Sequence, residues 1–180
     1  MILDSPFIGI NYQFRSVNSN DSAKILNLRL DSKLNAFIHE TTLIGHQEWL
    51  DEQLQKAGDY YFAIESLDDF TTHGFIGIYE IRSNTGEWGR WILCPESPAA
   101  IESYWMILKF SFDLGLNLVY CRTDIRNKKV IAIHDKLPYS SSEVVNEESS
   151  GLVFKVHSLD VIDWPNFEPN LEKYIRRRTK

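Results

Sequence analysis

The chain has 180 residues, of which 43% are hydrophobic and 24% charged, enough to bury the core of one ordinary domain. This balance excludes a wholly disordered or fibrous chain. Nineteen basic side chains against 25 acidic ones give a formal net charge of −6, which disfavours sequence-independent binding of nucleic acid.

The first third of the chain predicts one strand and two helices. Alternating polar and apolar residues predict a strand over 9–17. Asn20, Asp21 and Ser22 are residues that cap a helix, and apolar residues at helical spacing follow them and continue to Leu34 and Phe37. A second amphipathic helix is predicted over 45–57, with Gly58 after its end.

Three sequential antiparallel strands are predicted next, over 60–65, 74–81 and 87–94. The last two are joined by Ser83-Asn84-Thr85-Gly86, a connection typical of a hairpin. The period then changes to that of a helix over 99–114, with Pro98 suited to its first turn.

The last part of the chain predicts a strand paired in parallel with 87–94, because a helix separates the two. A short helix and two closing strands follow, and the last residues are interpreted as an extended tail. The predicted ranges are strand 117–125, helix 128–137, strands 142–146 and 151–157, and tail 158–180.

The number of cysteines and the spacing of the histidines argue against a disulfide framework and a metal site. Cys94 and Cys121 are too few for a disulfide framework or a zinc site of their own, and each lies in an apolar run typical of a buried reduced thiol. The spacing of four histidines, His39, His46, His73 and His157, is not that of metal ligands, so no metal site is predicted. No apolar run suggests a membrane span or a secretory signal, and we expect a cytoplasmic protein with no membrane partner.

The order of these elements resembles that of the GNAT superfamily of acyl-CoA-dependent N-acetyltransferases. The segments that carry the resemblance are FIGIYEI, a turn, EWGRWILCPESPAAIESYWMILKFSFDLG and then VYCRTDIRNKKVIAIHDKLPY. The resemblance implies an α+β fold, with a mixed, mostly antiparallel sheet of about seven strands and about four helices. It implies one acetyltransferase-like domain over 1–157, with 158–180 as a tail that packs on the domain or extends from it.

The resemblance implies transfer of an acetyl group from acetyl-CoA to a primary amine by direct attack. The segment LNLRLDSKLNAFIHET…GHQEWL is similar to the branch that acetylates amino-sugar nucleotides or ribosomal-protein N-termini. We therefore expect a small-molecule amine acceptor, with a protein N-terminus as the second choice, and we leave a homodimer open. The alternative is a GNAT-fold binding or regulatory module without catalysis.

The loop that binds the cofactor diphosphate in this family reads Gln/Arg-x-x-Gly-x-Gly/Ala. Here the segment 95–100 reads PESPAA and has no glycine. The resemblance still assigns cofactor binding to Ser97, Ala99 and Ala100, because backbone N–H groups at a helix start favour an anion. Pro98 has no N–H to donate, and Glu96 adds a negative charge.

The resemblance also implies a bulged strand at about 90–94, whose backbone N–H groups would bind the cofactor arm and the acyl oxygen. These are the N–H groups of Ile92, Leu93 and Cys94. Asn127 would bind the cofactor arm through its side-chain amide. An N-cap of the following helix is the alternative reading of Asn127, and both can hold.

Acetyl transfer needs a base for the ammonium and a proton donor for the leaving thiolate. Glu80 and Glu87 flank the hairpin near the expected cofactor cleft, and Glu80 is the preferred base. His134, the seventh residue after Asn127, falls where the family commonly has a tyrosine donor, and a histidine can donate near neutral pH. The alternatives are an exposed carboxylate at a strand end and a histidine on a helix surface.

Three residues are predicted to border the acceptor. Arg29 resembles an arginine of the sugar-nucleotide branch, and His46 lies on a helix that flanks the acceptor pocket in the family. Trp88 and Trp91 are expected on opposite faces of one strand. Either Trp88 lines a cleft and Trp91 belongs to the core, or the reverse.

Overall fold

The computed structural model describes residues 1–31, 42–148 and 150–178, and its strands form one sheet. The spatial order is β1-β2-β3-β4-β5-β6-β8-β7, with all neighbours antiparallel except β5 and β6. This confirms the predicted mixed, mostly antiparallel sheet, with one more strand at its edge, just before the first predicted strand at 9–17. The strands are β1 (Phe7–Ile8), β2 (Tyr12–Ser16), β3 (Tyr60–Ser66), β4 (Thr72–Arg82), β5 (Thr85–Leu93), β6 (Leu118–Asp124), β7 (Ser141–Glu147) and β8 (Leu152–Asp160).

Helices cover both faces of the sheet. The helices are α1 (Ser22–Leu30), α2 (Leu43–Gln55), α3 (Ala100–Asp113), α4 (Lys128–His134) and α5 (Trp164–Arg178). One core lies between the sheet and α3 with α5, and a second, smaller one lies between the sheet and α1 with α2. We call these two sides the α3 face and the α2 face. The predicted apolar positions Leu34 and Phe37 lie outside the described residues.

The prediction of an extended tail is wrong for most of 158–180, because β8 continues to Asp160 and α5 then runs along α3. Trp164 and Ile175 are buried, and Phe167 and Leu171 pack on the same core. These four side chains recur at helical spacing, so one stripe of α5 can bury its apolar surface on α3.

The β4–β5 connection is a two-residue hairpin turn, within the predicted 83–86. Ser83 and Asn84 have φ angles of 49° and 61°. Two successive left-handed residues define the turn whose twist matches that of a hairpin. The turn brings Glu87 opposite Tyr79, so the side chains of these two residues share one face of the sheet.

The parallel strands β5 and β6 separate soon after they meet. They pair at only three positions, from Thr85 with Leu118 to Glu87 with Tyr120. Beyond Glu87, β5 continues along β4 to Leu93, whereas β6 continues along β8 to Asp124. A gap therefore opens between the two strands, and Glu87 lies at its closed end.

A bulge in β5 changes which side chains face α3. Gly89 pairs with Gly77 but Ile92 pairs with Phe75, so β5 has one extra residue, and Arg90 has a φ angle of 51°. This confirms the expected bulge. It also overturns the expectation that Trp88 and Trp91 lie on opposite faces, because their ring centroids are 5.7 Å apart on the α3 face.

Candidate active site

Glu87 is a buried carboxylate at the closed end of the gap. Only 4% of the residue is exposed. The Tyr79 hydroxyl donates to one carboxylate oxygen at 3.2 Å, and Arg122 Nε donates to the other at 2.9 Å. Burial raises the pKa of Glu87, and the charge of Arg122 opposes this shift. Such a carboxyl group is suited to exchange a proton nearer neutral pH than an exposed one.

Two neighbours fix the geometry around Glu87. Arg122 also donates to Glu147 on β7 at 3.1 Å, so its guanidinium is shared between two carboxylates. A Cβ atom on Gly89 would lie 2.5 Å from the Tyr79 hydroxyl oxygen. Gly89 therefore leaves the space in which Tyr79 reaches Glu87.

Glu80, the preferred base from the sequence, lies at the surface. Its side chain is 54% exposed, and its carboxylate pairs with Arg82 at 3.4 Å beside the hairpin turn. An exposed carboxylate in an ion pair lacks the desolvation that makes a carboxyl group a better base. Glu80 as the base stays a prediction, and the carboxylate that the hairpin buries is that of Glu87, the second candidate from the sequence.

His134 lies against the gap on the α3 face. Its ring is 5.3 Å from that of Trp88 on β5, and its Nδ1 is 3.8 Å from Cys121 Sγ on β6. The same Nδ1 is 2.8 Å from the Tyr139 hydroxyl. Burial raises the pKa of Tyr139, so this hydroxyl keeps its proton, and it also lies 3.7 Å from Cys121 Sγ. The tautomer of His134 follows from this contact: the ring carries its proton on Nε2 when the hydroxyl donates to Nδ1, and on Nδ1 when the hydroxyl accepts.

Burial and, to a lesser extent, the charge of nearby His157 lower the pKa of His134 to about 4. The ring is therefore neutral at neutral pH. A neutral ring carries one N–H group, on Nδ1 or on Nε2, and His134 as a donor stays a prediction.

Trp88 does not join the other predicted acceptor residues. It is 1% exposed and lies on the α3 face, with its ring centroid 5.6 Å from that of Tyr104. Trp91 is the more exposed of the two tryptophans. The prediction of Trp88 at the acceptor is therefore replaced by the alternative reading, in which Trp88 belongs to the core.

The bulged strand directs one of the three predicted amides into the gap. Cys94 N–H donates to the His73 carbonyl at 2.8 Å. Because hydrogen-bonded and non-bonded pairs alternate along an antiparallel ladder, Ile92 N–H also points to β4, whereas Leu93 N–H points toward the gap. We therefore drop the amides of Ile92 and Cys94 from the cofactor-binding set and keep that of Leu93.

The segment after β5 forms a tight turn. Ser97 N–H donates to the Cys94 carbonyl at 3.1 Å, and Glu96 takes a left-handed φ angle of 61°. The Ser97 hydroxyl lies 3.2 Å from His73 Nδ1 and accepts a hydrogen bond from Ala99 N–H at 3.3 Å. Ala99 is fully buried. Its amide and side chain are thus engaged within the protein, which argues against Ala99 as a cofactor ligand.

The first backbone N–H groups of α3 are not hydrogen-bonded within the helix. The first N–H bonded inside the helix is that of Ser103, which donates to Ala99. The amides of Ala100, Ile101 and Glu102 therefore have no acceptor within the helix. The Glu102 carboxylate faces elsewhere, because it accepts from the N–H groups of the loop between β1 and β2.

Asn127 caps α4, since its side-chain oxygen accepts from Val130 N–H at 3.2 Å. This confirms the N-cap reading. The two N–H groups of the same amide make no hydrogen bond in the part of the chain that the structure describes. Capping α4 therefore leaves them available to a ligand.

Arg29 and His46 come together on the α2 face, around Trp49. The Arg29 guanidinium carbon is 5.6 Å from the Trp49 ring centroid, and the His46 ring is 5.4 Å from it. His46 Nδ1 is 2.7 Å from the Ser22 hydroxyl, and burial, then the charge of Arg29, lowers its pKa. Arg29 Nε and His46 Nε2 are buried without a hydrogen-bond partner in the described residues, and Arg29 opposes the rise in the pKa of Tyr61 that burial causes.

Two kinds of feature are absent from the described residues. No group of three or more histidine, cysteine, aspartate or glutamate side chains there could hold a metal ion. No helix in the same part of the chain is long and apolar enough to cross a membrane.

Sequence reasoning missed the partners of Glu87. Arg122 lies 35 positions away on β6, and no local pattern connects it to the hairpin. Tyr79 and Gly89 belong to the predicted strands, but their contact depends on the register and the bulge. The only available signal was the presence of an acid inside an apolar strand, which needs a partner when buried.

Comparisons with known proteins agree with this geometry. The family model described as acetyltransferase (GNAT) domain matches residues 12–139. Similar solved structures include apo FdhC, described as a nucleotide-linked sugar GNAT, at 23% identity, TM-score 0.73 and coverage of 97% of this chain and 98% of that one. A putative acetyltransferase from T. thermophilus has 19% identity and TM-score 0.77, with the same coverage of both chains.

A spermidine N-acetyltransferase SpeG chimera from Vibrio cholerae and hSSAT has 16% identity and TM-score 0.74, and the alignment covers 87% of this chain and 99% of that one. No curated protein matches the sequence. At these identities the solved structures show the fold alone. The family match does more, and the chain belongs to the GNAT family of acyl-CoA-dependent N-acetyltransferases.

Proposed function

We propose that the protein transfers an acetyl group from acetyl-CoA to the primary amine of a small molecule, with an amino-sugar nucleotide as the leading acceptor. The observation that carries this proposal is the separation of β5 and β6 directly after Glu87. It opens the sheet from one face to the other, with a buried carboxylate at the closed end. A thioester on one side can meet an amine from the other.

Acetyl-CoA supplies the acyl group as a thioester. The groups suited to bind acetyl-CoA are backbone and side-chain hydrogen-bond donors at the open end of the gap. Leu93 N–H faces the gap, and the first amides of α3, including that of Ala100, suit a diphosphate. Asn127 would donate to the cofactor arm, and Ser97 supports the loop between them.

Glu87 is the proposed base. An amine acceptor arrives as an ammonium and must lose a proton before it attacks. The carboxylate is held at the closed end of the gap by Tyr79 and Arg122, and burial raises its pKa. Glu87 would take the proton directly or through one water molecule.

His134 is the proposed donor to the leaving thiolate. With the Tyr139 hydroxyl donating to Nδ1, the ring would carry its proton on Nε2. Because the ring is neutral, Nε2 would donate a hydrogen bond to the leaving sulfur and keep its proton, and the thiolate would take the proton that the newly acylated nitrogen loses. The pair of His134 and Tyr139 would take the place of the tyrosine hydroxyl of the family pattern.

Arg29 and His46 are proposed to bind the acceptor. Arg29 is a half-buried cation without a carboxylate partner within 4 Å in the described residues, and it stacks on Trp49. A guanidinium beside an aromatic ring and a buried imidazole suits an acceptor with a phosphate or carboxylate better than a polyamine. A nucleotide-linked sugar meets this requirement, and FdhC is described as a nucleotide-linked sugar GNAT.

The second candidate is a GNAT-fold module without catalysis. The observation that favours it is the segment 95–100, in which Pro98 lacks an N–H group and Glu96 brings a negative charge to the anion site. Such a module would retain the fold and bind acetyl-CoA weakly or not at all.

A thiol-release assay with acetyl-CoA distinguishes the candidates. The acceptors compared are nucleoside-diphosphate amino sugars, spermidine and a peptide with a free N-terminus. We expect turnover with the amino sugars and a loss of about 10²- to 10⁴-fold in kcat for Glu87→Gln, with Glu80→Gln as the matched control. Absence of turnover with every acceptor, together with no thermal shift at millimolar acetyl-CoA, would leave the non-catalytic module.

A further inference from the structure

The bulged residue of β5 is an arginine in a strained backbone conformation. Arg90 has a φ angle of 51°, in the left-handed region that residues other than glycine rarely adopt. A regular strand alternates its side chains between the two faces of a sheet, so it would place Arg90 on the α3 face, beside the buried ring of Trp88. In the bulge, the side chain of Arg90 lies on the α2 face, over the ring of Trp49. An interaction on that face must therefore compensate for the strain.

Asp59 supplies this interaction. The two terminal nitrogens of the Arg90 guanidinium donate to the two carboxylate oxygens of Asp59 at 2.6 and 2.8 Å, which is the bidentate geometry of a strong ion pair. Only 13% of the Arg90 side chain and 7% of the Asp59 side chain are exposed. Asp59 directly precedes β3, so the pair connects the bulge to the second strand along from β5 in the sheet. Arg90 cannot move to the α3 face without leaving a buried carboxylate unpaired.

Aromatic rings surround the same guanidinium. Its carbon atom is 4.3 Å from the ring centroid of Tyr79 and 5.4 Å from those of Trp49 and Tyr61. A planar guanidinium can stack on a ring and donate to a carboxylate at the same time. The α2 face therefore stabilises the side chain of Arg90 by an opposite charge and by ring contacts together.

The bulge decides which amide of β5 faces the gap. In the observed register, Cys94 lies opposite His73 and donates its N–H to the His73 carbonyl, so Leu93 N–H is directed to the gap. If β5 were regular from Gly89 onward, each later residue would lie one position further along β4. Leu93 would then lie opposite His73 and donate to that carbonyl, and Ile92 N–H would face the gap.

We propose that Asp59 and Arg90 are positioning residues, whose ion pair selects the bulged register of β5 and thereby presents Leu93 N–H to acetyl-CoA. This inference rests on the proposed function, in which that amide binds the cofactor. The pair acts through the backbone of β5, so neither side chain is a catalytic residue. The proposal also explains why a position whose φ angle suits glycine carries an arginine.

Amide hydrogen exchange of the full chain, followed residue by residue by NMR, tests the register without a ligand. In the parent, Ile92 N–H is bonded to β4 and should exchange slowly, whereas Leu93 N–H should exchange quickly. Asp59→Asn/Arg90→Met removes both charges of the pair. It should slow the exchange of Leu93 and speed that of Ile92, each by about fivefold or more, because one amide gains a hydrogen bond and the other loses one.

Asp21→Asn/Arg15→Met is the matched control, because it removes another bidentate pair, at 3.0 Å, which involves β2 and not β5. It should leave the ratio of the Ile92 and Leu93 rates unchanged. Arg90→Lys keeps a cation that can pair with Asp59 and should retain the parent ratio.

An unchanged ratio in Asp59→Asn/Arg90→Met, whether both rates stay the same or rise together, would overturn the proposal. A ratio that changes equally in the control would overturn it as well. If the double variant does not fold, Asp59→Asn alone provides the same test with the same two outcomes.

Calorimetric titration with acetyl-CoA connects the register to the proposed function. Asp59→Asn/Arg90→Met should weaken binding about fivefold to tenfold, in line with the loss of one hydrogen bond, and the control should change the affinity less than twofold. Interchanged exchange rates with unchanged affinity would overturn the role of the pair in cofactor binding. No binding of acetyl-CoA to the parent would contradict the proposed function, and the exchange rates would still decide whether the pair selects the register.

Discussion

Arg122 on β6 donates a 2.9 Å hydrogen bond to Glu87 on β5 across the point where the two strands separate. The same guanidinium donates at 3.1 Å to Glu147 on β7. Glu87 therefore senses a positive charge that a second carboxylate partly neutralises. Since the neighbouring charge of Arg122 favours the ionised form of Glu87, this pair sets the pH at which the proposed base becomes active.

Substitutions of Arg122 and Glu147 should shift the acid limb of the kcat/KM profile in opposite directions. Arg122→Gln removes the charge that lowers the pKa of Glu87, so the limb should move to higher pH. Glu147→Gln removes the second carboxylate that pairs with Arg122, so the charge of Arg122 lowers the pKa of Glu87 more strongly and the limb should move to lower pH. Tyr79 and Glu80 also act on Glu87 and stay unchanged in both variants. Identical limbs in the parent and both variants would contradict Glu87 as the base.

Gly89→Ala should act on Glu87 through Tyr79. The new methyl group would lie 2.5 Å from the Tyr79 hydroxyl oxygen, so the ring must move and its hydrogen bond to Glu87 is lost. We expect a cost of about 1–3 kcal/mol in the free energy of unfolding. We also expect a shift of the acid limb equal to that of Tyr79→Phe.

The double variant Gly89→Ala/Tyr79→Phe checks this assignment by a thermodynamic cycle. If both substitutions remove the same hydrogen bond, the double variant should shift the acid limb no further than Tyr79→Phe alone. Additive shifts would mean that Gly89 does not act through Tyr79.

Local patterns predicted the elements, because hydrophobic period, caps and turn residues act over a few positions. They located the hairpin at Ser83 and Asn84 and the parallel strand after α3. They missed α5, because Pro165 and Pro169 argue against a helix while its apolar stripe gains stability only on α3.

The site depends on effects that have no local pattern. A bulge at Arg90 turned Trp91 to the same face as Trp88. The choice between Glu80 and Glu87 depended on burial and on Arg122, a partner from another strand. Sequence could therefore identify the hairpin as a place for the base, but not which of its two carboxylates is buried.

The free energy of unfolding should fall as the pH is lowered from about 6.5 to about 4. The pKa of His134 is lowered to about 4 in the folded protein, so the unfolded chain binds a proton over this range and the folded one does not. The stability that His134 contributes is present above its unfolded pKa of about 6.5, and its loss amounts to about 3 kcal/mol when the pH reaches 4.

Urea unfolding at several pH values measures this effect. His134→Gln should lack this part of the fall, whereas His73→Gln, which replaces a histidine outside the gap, should keep it. If the free energy of unfolding had the same slope against pH in the parent and in His134→Gln, the buried neutral ring of His134 would be contradicted.

Glu96 is expected to oppose both stability and cofactor binding. It holds a left-handed φ angle of 61°, which costs a non-glycine residue about 1 kcal/mol, and its charge lies just before the start of α3. Glu96→Gly should raise the free energy of unfolding by up to this amount and should strengthen acetyl-CoA binding. Glu96→Gln should strengthen binding alone, because it removes the charge and keeps the strained backbone. Thermal unfolding and titration with acetyl-CoA measure the two effects separately. Weaker binding by Glu96→Gln would show that the carboxylate assists the phosphate end of the site instead of opposing it.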